Sequence, residues 1–236
     1  MDDLIELPAI VVNSAPAPLR RPKLTERIVA AAFDALSAGM EREIVSPWRR
    51  ELLAQARGRV LDVGAGTGAN LAYFPWRSEQ LEVVLLDPAP GMLERAQRRS
   101  LQLGVTVQLV DSPAESIPFA DEYFDTVVFA MTLCTIRDPV AALREAHRVL
   151  RPDGRLLVLE HVRASEPDLA RRQDQLDGLW KTINMGCHPN RASRQAIEAA
   201  GFEWERVEEF RERRIPTAIV QPHLIGLARK RVEPCC

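Results

Sequence analysis

No apolar run in this chain approaches the ~20 residues a helix needs to cross a bilayer, so no membrane-spanning segment is expected. The apolar stretch Leu4 to Val12 is short and lacks a basic leader, which argues against a secretory signal. An excess of charge of one sign is also missing. Thirty-one Lys and Arg face 33 Asp and Glu, a formal net charge of -2, and this excludes a general attraction to nucleic acid or anionic membrane. Cysteine is scarce: Cys134, Cys187, Cys235 and Cys236 have the spacing of neither a zinc site nor a disulfide framework. Reduced thiols in a cytoplasmic protein are the default, and the vicinal pair Cys235-Cys236 reads as a non-catalytic tail. No internal repeat and no low-complexity tract appears. What remains is 236 residues with 27% charged side chains, enough to bury the core of one globular domain.

The stretch around which the chain is organised is Val60 to Asn70, VLDVGAGTGAN. Val60, Leu61 and Val63 read as a buried strand, and Gly64, Gly66 and Gly68 follow at alternate positions, with a helix expected after them. Glycine suits a backbone that must turn tightly and come close to a ligand. Such a loop offers N–H groups to a nucleotide at the carboxyl edge of a parallel sheet. Gly64, Gly66 and Ala69 also satisfy the looser G-x-G-x-x-A pattern of dinucleotide binders. Asp62, two residues before the first glycine, tilts the choice: a carboxylate there can hold an ammonium, whereas an anionic pyrophosphate gains nothing from it. Leu81 to Leu86 is a second strand ending in Asp87, 19 residues past Gly68. A carboxylate at that place can accept from both vicinal hydroxyls of a ribose. The plainer alternatives are a ligand-free turn and, for Asp87, an N-cap to the helix Met92 to Leu103.

The rest of the chain alternates in the same manner. Residues 1–22, punctuated by Pro8, Pro16, Pro18 and Pro22, read as a flexible arm before a single domain over 23–230, with 231–236 as a tail. Leu24 to Ala56 is helical in pattern, with Thr25 as N-cap and Ile28, Ala31, Ala32 and Ala35 on one face. A second helix is expected near Pro47, burying Trp48, Leu52 and Leu53 and ending at Gly58. Strands follow at Val105 to Val110, Phe124 to Met131 and Arg155 to Glu160. Between the last two, Asp138 caps a helix with the stripe Ala142, Leu143, Ala146, Val149 and Leu150. Residues 166–186 read as a polar helix within a lid over about 163–190. Arg191 to Gly201 is a helix, and Phe202 to Phe210 with Ala218 to Leu227 an antiparallel pair of strands. The pairs Arg49-Arg50, Arg98-Arg99 and Arg171-Arg172 read as solvated helix faces. The alternation indicates a doubly wound α/β domain.

Asp62 to Gly68 spells D-x-G-x-G-x-G, which resembles motif I of class I S-adenosylmethionine (SAM) methyltransferases. From about residue 59 to 229 the chain resembles the group that includes quinone-biosynthetic C-methyltransferases, and more closely the methyltransferase-like thiol S-methyltransferases. The matching pieces are VLDVGAGTGAN, LLDPAP, Leu133-Cys134, AHRVLRPDG, Glu160-His161-Val162, Trp180, Gly186-Cys187, and Gln221-Pro222-His223 with Gly226. The resemblance implies a mostly parallel seven-stranded Rossmann-like sheet with N-terminal helices and a lid, and SAM as cofactor. It implies cofactor contacts from Asp62, Gly64, Ala65, Gly66, Gly68, Asn70, Asp87, Pro88, Met92, Ser112, Ala114, Glu115, Ala130, Met131 and Thr132. Pro113 stands where the family's adenine loop has an acidic residue. Adenine recognition is therefore expected from the Ala114 backbone, with Glu115 or Asp111 reaching the amino group.

Thr132 to Ile136 leaves the fourth strand where, in this family, the methyl donor faces its acceptor. His161 is the first choice for a catalytic group there and His223 the second. Each has the alternative of a buried imidazole bonded to backbone. Cys134, Trp180 and Cys187 are expected to wall the acceptor pocket or simply to pack. No metal is expected. The implied reaction is methyl transfer to a small molecule, foremost a thiol or hydrosulfide sulfur. The alternatives are O-, C- or N-methylation of a quinone precursor, natural product or phospholipid amine, an NAD-dependent oxidoreductase, or a non-catalytic SAM-binding module. Nucleic-acid methylation is not expected, since there is no basic domain and no Asn-Pro-Pro-Tyr-type motif after the fourth strand. The membrane anchor of the animal thiol enzymes is not carried over, and stable membrane insertion is not expected.

Overall fold

The computed structural model describes residues 19–231, so most of the expected arm and tail lies outside the described residues. Helix α1 (Leu24–Met40) runs through a π-helical segment, Glu41–Val45, into α2 (Ser46–Leu53). Then follow β1 (Arg59–Val63), β2 (Glu82–Leu86), α3 (Pro90–Leu103), β3 (Val107–Val110), β4 (Phe124–Ala130), α4 (Pro139–Val149), β5 (Leu150–His161), α5 (Pro167–Ile183), α6 (Ser193–Ala199), β6 (Phe202–Arg211) and β7 (Pro222–Lys230). The seven strands form one sheet in the order β3-β2-β1-β4-β5-β7-β6. The first five pair in parallel, while β7 lies antiparallel to both β5 and β6. This is the doubly wound α/β sheet expected.

The strands sort by hydrophobicity as physics requires. β1, β2 and β4 are near-continuous apolar runs because helices cover both faces of a parallel sheet. One core layer joins Leu61, Val63, Phe129 and Leu156 to Leu143 of α4 and Ile197 of α6. The other joins Val60, Leu85 and Leu157 to Leu52 and Leu53 of α2 and Leu93 of α3. β6 is an edge strand and carries Glu203, Glu205, Glu208 and Glu209, charges that keep an open edge from pairing. The chain changes direction of winding between β1 and β4. The crevice outside their carboxyl ends is where such sheets bind ligands.

Several local expectations need correction. The glycine loop leads into a 3₁₀ turn, Ala69–Ala72, instead of an α-helix. Pro75 cuts it short, since proline disfavours a helical residue before it. Thr25 lies inside α1. The N-terminus is closed by Glu26, whose carboxylate accepts from the Lys23 N–H at 2.6 Å. The face Ile28, Ala31, Ala32 and Ala35 points to solvent, and Ala30 is the buried residue. The phase is set by polar docking. Asp34 accepts from Arg95 at 2.7 Å and from Thr67 at 2.5 Å, and a Cβ on Gly91 would lie 2.6 Å from the Glu26 carbonyl. α1 therefore crosses α3 at a glycine, held by ion pairs and not by its alanines. Ala218–Val220 is a 3₁₀ turn, so β7 begins only at Pro222.

Candidate active site

The site is built first from backbone. β1 stops at Val63, and Gly64, Gly66 and Gly68 take φ of 65°, 55° and 79°, a region open to glycine at little cost. Space demands the same residue type. A Cβ on Gly64 would sit 1.9 Å from Thr132 Oγ1, whereas one on Gly66 would meet nothing within 4 Å. The loop is thus packed against the end of β4 on one side and open on the other. Ala65 is buried and donates from its N–H to the Leu86 carbonyl at 3.1 Å, tying the loop to β2.

Two carboxylates frame this loop. Asp87 accepts from the Gly66 N–H at 2.9 Å and the Ala89 N–H at 2.8 Å, one on each oxygen. A carboxylate has about four lone-pair sites, so one on each oxygen is left for a vicinal diol. Asp62 is fully buried. Its Oδ1 accepts from Asn70 Nδ2 at 2.8 Å, while Oδ2 has no partner. Burial pushes its pKa up to about 7, against the lowering effect of Asn70 and of the Arg49 charge. An orphaned buried oxygen of this kind fits a ligand ammonium.

Arg49 is the residue missed by reading arginine pairs as solvated. It is buried in α2, pairs with Glu41 at 2.6 Å and donates to Asn70 Oδ1, so it locks the amide that orients Asp62. A signal existed. Arg49 stands three and four residues before Leu52 and Leu53, which places it on the same helix face. Arg50, one residue on, is exposed.

Pro88 is exposed and Met92 is buried at the start of α3. In the proposed adenine loop Ala114 is buried, Ser112 donates to the Ser116 carbonyl at 2.7 Å, and Glu115 accepts from the Asp138 N–H at 2.9 Å. Asp111 is gripped by Arg20 at 2.7 and 2.9 Å, and the same guanidinium donates to the Pro88 carbonyl. Asp138 caps α4 through the Val140 and Ala141 amides, as its position suggested.

The expected acceptor side starts at Ala130, the last residue of β4. Met131 takes a left-handed φ of 63°, a conformation a non-glycine residue holds at a cost of roughly 1–3 kcal/mol when its surroundings enforce it. The turn aims the N–H groups of Thr132, Leu133 and Cys134 at the buried Glu160 carboxylate, at 2.8, 2.7 and 3.4 Å. Burial raises the Glu160 pKa to about 7 even though these amides lower it. Sequence reading took Glu160 only as part of a motif. Its anchoring role depends on β5 lying beside β4.

His161 ends β5 opposite His223 of β7, and the two rings lie 4.8 Å apart. His223 Nδ1 donates to the Gln221 carbonyl at 2.7 Å, which leaves Nε2 buried and without a partner. Burial, with the neighbouring His161, pushes its pKa down to about 3. An imidazole of that basicity is a poor acceptor for a thiol proton near neutrality. His161 faces sulfur instead. Its Nδ1 is 3.7 Å from Cys187 Sγ, and Cys134 Sγ completes a cluster whose ligand atoms lie within 4.8 Å of one another. The hydrogen bond from Cys134 pulls Cys187 below the usual thiol range, helped by His161, and Cys134 is pushed above it. Trp180 of α5 has its buried indole N–H unpartnered. α5 is pinned over this end of the sheet by Gln173, which donates to the Val162 and Ile219 carbonyls and accepts from the Ala164 N–H. The sequence spacing of the cysteines suggested no cluster, yet the fold brings Cys134, Cys187 and His161 together.

A methyltransferase domain family matches residues 61–158, from β1 to β5. Among curated proteins, thiol S-methyltransferase TMT1B of Rattus norvegicus is 31% identical over 77% of this chain and 78% of its own length. The ubiquinone/menaquinone biosynthesis C-methyltransferase UbiE of Azotobacter vinelandii is 36% identical over 69% of this chain and 68% of its own. Among solved structures, a SAM-dependent methyltransferase from Aquifex aeolicus aligns with a TM-score of 0.57 at 20% identity, covering 86% of this chain and 97% of that one. With the sheet order and the glycine loop between two strand-end carboxylates, these likenesses define a SAM-dependent methyltransferase. The chain belongs to the class I SAM methyltransferase family, and SAM is its cofactor. Among the described residues no helix is long and apolar enough to cross a membrane.

Proposed function

We propose that the protein methylates the sulfur of a small thiol or of hydrosulfide. The observation that carries this reading is the buried acceptor end, where Cys134, His161 and Cys187 converge beside the glycine loop and Trp180 turns an unpartnered N–H inward. The rat thiol S-methyltransferase likeness supports it, since it extends over more of the chain than the quinone-enzyme likeness does.

In this reading Asp62 Oδ2 holds the ammonium of SAM, Asp87 takes the ribose hydroxyls, and the backbone of Gly64 to Gly68 lies along the nucleoside. Ala114 borders the adenine, with Ser112 and Glu115 shaping its loop, while Ala130, Met131 and Thr132 line the floor. SAM supplies a methyl group on a sulfonium, whose positive charge already activates the leaving thioether. The protein's task is alignment and exclusion of water, which can lower a barrier by roughly 7–11 kcal/mol when the geometry is good. A thiol of pKa roughly 8.5 must lose its proton to react. His161 Nδ1, beside Cys187, is the imidazole placed to receive it, while His223 supports the His161 ring. The free thiols of Cys134 and Cys187 suit a reducing, cytoplasmic compartment.

The test is incubation with labelled SAM and a panel of small thiols, hydrosulfide, phenols, amines and a quinone precursor. Label is expected on sulfur. Label appearing only on oxygen, nitrogen or carbon retires the sulfur assignment. Transfer to a carbon of the quinone precursor would favour the second reading, which the Azotobacter vinelandii likeness supports.

A further inference from the structure

Three soft donors meet at the carboxyl ends of β4 and β5 and the loop after α5. Sγ of Cys134, Sγ of Cys187 and a ring nitrogen of His161 lie within 4.8 Å of one another, and Cys187 Sγ is 3.7 Å from His161 Nδ1. In a tetrahedral zinc site, Zn–S near 2.3 Å and Zn–N near 2.0–2.1 Å put neighbouring ligand atoms ~3.5–3.8 Å apart. One edge already has that length, and the widest needs a contraction of about 1 Å. The donors are held by backbone. The His188 N–H donates to the Cys134 carbonyl at 2.8 Å, and the Cys187 N–H to the Asn184 carbonyl at 3.0 Å. His161 is fixed in register opposite His223. All three donors are buried, at 2%, 5% and 9% exposure for Cys134, Cys187 and His161, so solvent does not satisfy them.

Among the described residues no fourth His, Cys, Asp or Glu joins the group. Glu160, the nearest carboxylate by sequence, is spent on the Thr132, Leu133 and Cys134 amides. Two thiolates and an imidazole select a borderline-soft cation over Mg²⁺ or Ca²⁺. Three protein ligands with one place left is the pattern of catalytic, not structural, zinc. We propose that Cys134, His161 and Cys187 bind one Zn²⁺, and that the fourth position receives the sulfur of the methyl acceptor. The metal site stands on geometry alone; the fourth ligand rests on the sulfur-acceptor reading above, with zinc in place of His161 as the agent that frees the acceptor thiol of its proton. On loading, both cysteines release their thiol protons. When the acceptor R–SH enters, the zinc–water bond breaks, a zinc–sulfur bond forms, and the thiol proton passes to solvent. Nothing is oxidised or reduced, and the acceptor is then a thiolate near neutral pH without a strong protein base.

The test uses the full chain carrying Cys235→Ser and Cys236→Ser, without a polyhistidine tag, so that Cys134 and Cys187 are the only thiols. Purified under reducing conditions and dialysed against Zn²⁺, it should retain one zinc per chain by elemental analysis. Co²⁺ in its place should give intense tetrahedral visible bands and a thiolate-to-metal charge-transfer band. Cys187→Ser and His161→Gln should each weaken Zn²⁺ binding by about 100-fold or more, beyond what losing a supporting partner costs. A small thiol should shift the cobalt spectrum and a phenol should not. Calorimetry of SAM binding to Cys187→Ser shows whether the variant is folded. Failure to retain zinc, undiminished affinity in Cys187→Ser, or a Cys134–Cys187 disulfide whose reduction restores no metal uptake overturns the site. A cobalt spectrum indifferent to thiols overturns the open position. Undiminished thiol methylation by metal-free protein sinks the zinc proposal and leaves the sulfur assignment intact; label on carbon alone, with zinc bound, does the reverse.

Discussion

The proton on Asp62 should govern how tightly SAM is held. In the ligand-free protein this carboxyl is buried with one oxygen unpartnered, and its pKa is raised to about 7. An ammonium placed on that oxygen favours the charged form, so SAM binds the deprotonated protein and releases a proton where the carboxyl is still protonated. With a free-state pKa of about 7 and the bound carboxyl charged throughout, affinity falls by ~30-fold from pH 8 to pH 5.5, or ~2 kcal/mol. Stability of the ligand-free protein runs the other way. A carboxyl with a raised folded-state pKa adds stability that is present below its unfolded value and lost as pH rises through about 7. Asp87 is also raised, chiefly by burial, and contributes with the same sign. The assay is titration calorimetry near pH 6 in buffers of different ionisation enthalpy. Proton release is expected for the wild type, and most of it should vanish in Asp62→Asn, which isolates this group from Asp87. Equal SAM affinity at pH 8 and pH 5.5, or an undiminished proton count in Asp62→Asn, would refute the reasoning.

Arg49→Met should lower stability by about 2–4 kcal/mol in urea unfolding, since it leaves Glu41 and Asn70 without their buried partner. Arg50→Met on the exposed neighbour should stay within ~0.5 kcal/mol, and equal effects would contradict the burial assigned to Arg49. Gly64→Ala and Gly104→Ala share a left-handed backbone, at φ 65° and 68°, but only the first drives a Cβ into Thr132. The first should abolish SAM binding and cost well over 2 kcal/mol, and the second about 1 kcal/mol, as read from thermal unfolding and calorimetry; a similar cost for both would show that space at Gly64 is not limiting. Asp87→Ala should weaken SAM at least ~100-fold, the worth of two charged hydrogen bonds, without unfolding the chain. Wild-type SAM affinity in that variant would remove Asp87 from the site.

What the sequence by itself determined is what local chemistry controls. Three glycines at alternate positions after an apolar strand announce a left-handed, close-packed loop, and the observed φ angles follow from the absence of Cβ. Asp62, Asp87 and Asp138 were legible because strand ends and helix caps are written within a few residues. The strands were legible as short apolar runs between turn residues. Tertiary structure decided whatever depends on which face meets which. The phase of α1 followed ion pairs to α3, not its alanine stripe. Arg49 could have been read from its spacing to Leu52 and Leu53, but its partners Glu41, Asn70 and Ala130 gather only when α2 packs against β5 and β7. Glu160 became an anchor for three amides, and Cys134, His161 and Cys187 became neighbours, because β4, β5 and the loop after α5 end at one place. Contacts between residues far apart in sequence leave no period or spacing to read. They arise from packing, and packing placed the sulfur-rich end of this site.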